Sequence, residues 1–238
     1  MLSETVIISP KFRGPPASAN GGYTAGLLAD LVEGSCEVTL RAPPPLEVPL
    51  DLVPSPSGGA VLRQYATLIA EAESRAFELE LPEAVSWKDA VAASQRFVGF
   101  EKHPYPSCFV CGTARTPGDG LRIFPGRVEG RNVAAAPWRP TVDLCTDDVV
   151  DARFVWAALD CPSWFGYASF ADEVPTILLG RLTATIQRRP ELEERCVVVG
   201  WNVGREGRRI ECGSMLLGKD GESIAHAKAT WITLKPAS

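Results

Sequence analysis

The chain has 238 residues, 45% of them hydrophobic, with a formal net charge of −5 and a pI of about 5.2. That is enough apolar material for a substantial core, in one large domain or in two halves of ordinary size. No long basic run is present, which argues against a nucleic-acid partner; no apolar stretch approaches the roughly 20 residues needed to span a bilayer.

Residues 5–8 form a short β-type run, and 12–19 (Phe-Arg-Gly-Pro-Pro-Ala-Ser-Ala) read as a loop. Asn20 is placed as the N-cap of a helix running to about Val32. Residues 36–42 and 48–53 alternate like strands on either side of Pro43-Pro44-Pro45, and 61–65 and 67–76 complete a sheet around that helix. Residues 86–97 have a helical pattern, opened by Ser86 and Asp89 in capping-box spacing. After Cys108-Phe109-Val110-Cys111-Gly112, residues 121–124 and 132–136 are strand-like. Residues 152–164 predict a buried helix, apolar throughout from Phe154 to Leu159. Strands are expected at 176–187, 195–203, 209–217 and 222–234, with Lys219-Asp220-Gly221 as a hairpin turn.

The second half repeats the first. The segment Thr39-Leu-Arg-Ala-Pro-Pro-Pro-Leu-Glu lies on Thr185-Ile-Gln-Arg-Arg-Pro-Glu-Leu-Glu without a gap, and Ile69-Ala-Glu-Ala falls on Ile224-Ala-His-Ala. Each half runs short strand, central helix, then four strands, which suggests an intramolecular pseudo-dimer of helix-wrapping antiparallel sheets. The expected division is 1–80 for the first repeat, 81–106 for a connector with its own helix, and 107–238 for the second repeat.

Asp160 follows the apolar run of the long helix. An ionised carboxylate there is costly unless it is paired or used. One reading is a capping role near Pro162; the other is a catalytic carboxylate in an acyl pocket lined by Trp156, Trp164 and Phe165. Gly21-Gly22 permit two readings as well: a tight loop before a helix, or a helix start whose unpaired amides a substrate can approach.

These stretches resemble the double hotdog fold of acyl-CoA thioesterases, an α+β architecture. Asn20-Gly21-Gly22-Tyr23, preceded by Phe12-Arg13-Gly14, is similar to the N-terminal repeat of type II bacterial acyl-CoA thioesterases. Leu159-Asp160-Cys161-Pro162-Ser163-Trp164-Phe165 resembles the Leu/Ile-Asp-His-Ser-x-Trp-Phe segment of their C-terminal repeat, whose Asp is catalytic. Cys108-Phe-Val-Cys-Gly with Gly120-Leu121-Arg122 is similar to the opening of many phenylacetate-type hotdog thioesterases. The resemblance implies an enzyme that hydrolyses acyl thioesters, without a cofactor. It departs from the family where Cys161 replaces the His after the Asp, and where Ala229 falls at the position of a water-orienting Gln. Asn202 is either a substitute orienter or a surface turn residue.

Superposing the repeats sharpens the expectation. Asn20-Gly21-Gly22 falls on Asp151-Ala152-Arg153, and Asp160 falls opposite Ala29, so each half holds what the other lacks. Arg153 and Asp160 are separated by about 10 Å of helix, too far for one helix to supply both the carboxylate and the helix-start amides. One site per chain is therefore expected. In it Asp160 acts as base or nucleophile, and the Gly22 and Tyr23 amides hold the oxyanion. Asn20, Gly21, Tyr23, Trp156, Trp164 and Phe165 meet the substrate. Arg13 and Arg188 are placed at the CoA phosphates, with solvated surface arginine as the alternative. A non-catalytic acyl-thioester binder on the same fold is the competing reading.

Other chemistries find little support. Two histidines and the absence of Gly-x-Ser-x-Gly argue against a serine hydrolase. Cys108 and Cys111, with His103 nearby, form one CxxC; zinc would need a fourth ligand such as Cys145, and a lone CxxC lacks its second pair, so no metal is expected. Residues 1–12 show no basic segment followed by an apolar one, so no signal peptide is expected. The seven cysteines are then expected as free thiols in the cytoplasm. A homodimer is expected, because exposed hotdog sheet faces or edges pair.

Overall fold

A computed structural model describes residues 3–56 and 58–234. In the first half β1 (Glu4–Ile7) precedes α1 (Gly21–Ala29), followed by β2 (Cys36–Leu40), β3 (Pro49–Pro54), β4 (Ala60–Gln64) and β5 (Thr67–Ser74). The connecting region carries α2 (Trp87–Ser94), capped by Ser86 Oγ accepting from the Asp89 amide at 3.1 Å. The second half contributes β6 (Gly126–Arg127), β7 (Ala134–Trp138), the small hairpin β8 (Cys145–Thr146) and β9 (Val149–Val150), then α3 (Ala152–Ala168). The last four strands are β10 (Ile177–Ile186), β11 (Cys196–Glu206), β12 (Arg209–Leu217) and β13 (Ser223–Thr233). None of the described helices is long and apolar enough to cross a membrane.

Eleven strands form one sheet in the order β1-β3-β4-β5-β2-β10-β13-β12-β11-β7-β6. The order is symmetric about the β2–β10 seam, where Thr39 faces Arg181 and Cys36 faces Ala184. Each half-sheet curls around its own helix, and the two helices pack against each other inside the fold. This is the double hotdog α+β architecture.

The repeat seen in the sequence is reproduced bond for bond. Arg41 and Ala42 amides both donate to the Ile69 carbonyl, and Gln187 and Arg188 amides both donate to the Ile224 carbonyl. Ala19 donates to Pro44 and Val150 donates to Pro190, each at the proline shared by the two repeats. Glu47 (φ 59°) and Glu193 (φ 61°) occupy the same left-handed bend. The aligned Thr, Pro and Glu positions are thus the corner where the strand after each helix turns back, and the same backbone geometry selected similar residues twice.

Two local expectations differ. Residues 121–124 are not a strand; Arg122 sits at φ 53°, which breaks extended pairing, and only the Leu121 and Ile123 amides reach Phe109 and Val110 carbonyls at 2.9 Å. The first helix ends at Ala29 rather than Val32, its last turn tightening through Leu31 and Val32 amides onto Leu28 and Ala29 carbonyls.

Most of the core is one continuous apolar cluster that includes both helices and the inner faces of both half-sheets. A second cluster lies outside it, where Ala90 and Ala93 of α2 cover Val197, Val199 and Trp201 on the back of the second half-sheet. The connector therefore shields apolar sheet surface that would otherwise face water.

The corner of the second repeat is held by charge. Glu194, nearly fully buried, accepts from Arg188 at 2.8 and 3.0 Å and from the Glu191 and Lys219 amides at 2.9 and 3.1 Å. These donors outweigh burial and bring its carboxyl down to about 2. A folded-state value below the unfolded one stabilises above the ordinary Glu range, and the contribution is lost as pH falls toward 2. Replacing Glu194 by Gln is expected to cost about 1.5–3 kcal/mol at neutral pH. In urea titrations the gap between the two proteins should close as pH falls from 5 toward 2; a pH-independent gap would refute the assignment.

Candidate active site

The two helices run antiparallel and cross where both carry small residues. A Cβ on Gly22 would lie 2.5 Å from Asp160 Cβ and 2.7 Å from the Trp156 carbonyl, and one on Gly26 would lie 2.5 Å from Arg153 Cα. Glycine one turn apart on α1 is what lets the backbones approach this closely. The result is a contact across the repeats: the Gly22 amide donates to Asp160 Oδ2 at 2.9 Å. Asn20 caps α1 and reaches the same oxygen, its Oδ1 accepting from the Tyr23 amide and its Nδ2 donating to Asp160 Oδ2, both at 2.8 Å. Asp160 Oδ1 is buried and has no hydrogen-bond partner among the described residues. Burial pushes the Asp160 carboxyl up to about 7, against the lowering effect of the Gly22 and Asn20 donors.

The middle of α3 is fixed by a short relay. Pro162 lies within the helix and supplies no amide. Ser163 Oγ donates back to the Asp160 carbonyl at 2.7 Å and accepts from Trp231 Nε1 at 2.9 Å; Ser214 Oγ donates to the Leu159 carbonyl at 2.7 Å. Two hydroxyls from the helix and the sheet thus hold the carbonyls around the proline and set the orientation of Asp160.

Asp160 borders a cavity of about 240 Å³ between the halves. Its walls are mostly apolar: Leu40, Pro44, Tyr105, Trp164, Phe165 and Leu179 are among the groups that line it. Asn20, Gly21, His103 and the thiols of Cys108, Cys111 and Cys161 supply its polar edge. Burial lowers the His103 imidazole, favouring the neutral ring. Its Nδ1 accepts from the Tyr105 amide at 3.0 Å, which leaves the proton on Nε2, and that atom is buried and unpaired.

The residues expected from the sequence divide accordingly. Asn20, Gly21, Asp160, Trp164 and Phe165 line the cavity, and Gly22 binds Asp160 directly. The Gly22 and Tyr23 amides are not free for an oxyanion, since they are spent on Asp160 and on the Asn20 cap. The Tyr23 ring instead stacks on Phe12 at 4.2 Å in the core, and Trp156 is buried away from the cavity wall. Asn202 is exposed on β11 in a separate surface depression with Tyr167 and Arg205, so it does not orient anything at Asp160. Arg13 donates to the Pro10 carbonyl at 2.8 Å, and Arg188 is committed to Glu194 and Glu222; neither lines the cavity. Arg41 does, held by Glu71 at 2.9 Å. Trp231 and His103 were not recognisable as cavity residues from sequence, because only the sheet order brings β13 and the connector to α3.

Among solved structures the chain is similar to a TesB protein of Mycobacterium avium subsp. paratuberculosis (16% identity, TM-score 0.62, 98% of this chain and 93% of that one). It is similar also to the acyl-CoA thioesterase II TesB2 of Mycobacterium marinum (13%, TM-score 0.58, 99% and 94%). A hotdog-fold protein of unknown function from Alicyclobacillus acidocaldarius matches to the same extent (14%, TM-score 0.60, 99% and 94%). At these identities the likeness establishes the fold. No family model and no curated protein sequence matches the chain.

The helix crossing has a direct test. Gly22→Ala must push a methyl into Asp160 and the Trp156 carbonyl, and is expected to destabilise by about 1–3 kcal/mol. Calorimetry should show a clear fall in Tm; a wild-type Tm would mean that the helices do not meet this closely.

Proposed function

We propose that the chain is a thioester hydrolase that cleaves acyl-CoA-type substrates to free acid and thiol, with Asp160 as its catalytic carboxylate. The observation that carries this reading is the Asp160 carboxylate itself. It is buried at the wall of an apolar cavity, anchored through Oδ2 by two donors of the opposite repeat, and unpaired at Oδ1. An anchored oxygen fixes orientation, and the unpaired one lacks the donor that a water would provide.

In this mechanism the acyl chain enters the cavity between Trp164, Phe165 and Leu179. Asp160 Oδ1 takes a proton from water as the water oxygen attacks the thioester carbonyl. The tetrahedral intermediate then collapses, the C–S bond breaks, and the proton passes to the leaving thiolate. The carbonyl oxygen gains negative charge along the way and needs a donor. The Gly21 amide is the first of α1; no hydrogen bond is seen at it among the described residues, and it lines the cavity. It takes the oxyanion role, one residue before the amides expected from sequence. Arg41 stands at the rim, where a CoA phosphate would exchange for Glu71.

Thiol release from short, long and aromatic acyl-CoAs, read for wild type and Asp160→Asn, tests the reading. A fall of roughly 100-fold or more in kcat is expected. Equal turnover in both proteins would overturn the role of Asp160; binding without turnover would make the chain an acyl-thioester binder. The oxyanion assignment has its own pair of variants. Proline at the first helical position removes the amide while keeping the helix, and Gly21→Ala keeps the amide with similar crowding against Leu40 and Leu179. Gly21→Pro should be slower than Gly21→Ala by about 100-fold or more in kcat, and equal rates would exclude the Gly21 amide.

A further inference from the structure

We propose that Cys108, Cys111 and Cys161 hold one thiophilic metal ion, zinc in the first instance, with its fourth coordination position open to the cavity beside Asp160. The lone CxxC lacks a second pair in sequence, but the fold supplies a third thiol from α3. All three sulfurs lie within 4.8 Å of one another, and all three residues are buried. Cys108 and Cys161 Sγ are 3.6 Å apart. A zinc ion bound at about 2.3 Å from each sulfur in a tetrahedron requires a spacing near 3.8 Å. Cys108 and Cys161 are therefore already at that spacing, and the Cys111 sulfur lies within 4.8 Å of both.

The loop that presents Cys108 is a tight turn. The chain closes through the Gly112 amide, which donates to the Cys108 carbonyl at 2.9 Å. A Cβ on Gly112 would lie 2.4 Å from that carbonyl, so the turn admits only glycine. Three protein ligands with a fourth position facing a cavity is the pattern of a reactive rather than a closed structural zinc site.

Neither His103 nor Cys145, the further ligands considered from sequence, takes part. Cys145 is partly exposed and its thiol donates to the Thr141 carbonyl. His103 accepts the Tyr105 amide on Nδ1, so Nε2 carries a proton and is not a free ligand atom. Cys36, Cys196 and Cys212 are buried outside this cluster.

This site does not depend on thioester hydrolysis, and its test reads no turnover. The full chain, purified with a phosphine reductant, is analysed for zinc and reconstituted with Co²⁺. Expected are about one zinc per chain and, with cobalt, a near-ultraviolet thiolate charge-transfer band with tetrahedral visible bands that zinc abolishes. Cys111→Ser and Cys161→Ser should each lower zinc to below about a tenth per chain, while Cys145→Ser keeps it. Should those variants fail to fold, the cobalt spectrum of the wild-type chain decides alone. Absence of the charge-transfer band overturns the proposal, as does zinc retained equally in wild type and folded Cys→Ser variants. A Cys108–Cys161 disulfide in the unreduced protein, with no metal uptake after reduction, overturns it too.

Discussion

A carboxylate in the middle of a buried helix cannot be satisfied by that helix, whose amides are already committed to its own carbonyls. Asp160 is in that position, and its hydrogen bonds come from the start of α1, where amides are still free. Leaving such a group without donors costs several kcal/mol. Much of the surrounding structure follows from meeting this demand. Gly22 and Gly26 remove side chains so that the helices can touch, and Asn20 must both cap its helix and face α3. The β2–β10 seam must join the half-sheets in the register that brings the two helices together.

The same crossing explains the asymmetry of the repeats. An antiparallel pair of equivalent helices offers two equivalent places, each with one helix start and one position a turn or two along the partner. In this chain Gly22 has Arg153 as its counterpart, and Asp160 has Ala29. Arg153 brings a guanidinium instead of a bare glycine, paired with Asp151 Oδ2 at 3.5 Å and 6.0 Å from the Phe154 ring centroid. The second place is only partly buried, and Ala29 there carries no carboxylate. One copy of the crossing carries the buried carboxylate–amide contact, and the other carries a half-exposed ion pair.

Much of this was legible before any coordinates. Repetition of Thr39, Pro44 and Glu47 at Thr185, Pro190 and Glu193 marks a backbone corner that needs a left-handed residue at one point, a local constraint that survives in sequence. The partnership of Asn20-Gly21-Gly22 with Asp160 was readable because glycine and a misplaced carboxylate are each unusual in a helix. The destination of each amide was not readable, since it depends on a displacement of about one residue along α1. Asn202 was misplaced for a related reason: β11 carries a register shift between Asn202 and Gly204, and alternation along a strand does not reveal a bulge. Arg13 and Arg188 looked available because sequence shows a charge and not its partner.

Pro162 shows how the local and the global demands meet. Within α3 it removes an amide and should weaken the helix by about 3 kcal/mol in isolation. Here the chain close to it is sealed from another direction. Gly200 of β11 presses so near that a Cβ would fall 1.8 Å from the Pro162 carbonyl, and Gly166 approaches Trp201 in the same way. Hydroxyls of Ser163 and Ser214 take the carbonyls of Asp160 and Leu159. A helix interrupted at this point and clamped to the sheet on both sides of the break cannot rotate about its axis. The orientation of Asp160 is therefore set by the sheet as much as by its own helix, and its carboxylate is held toward α1 whatever occupies the cavity.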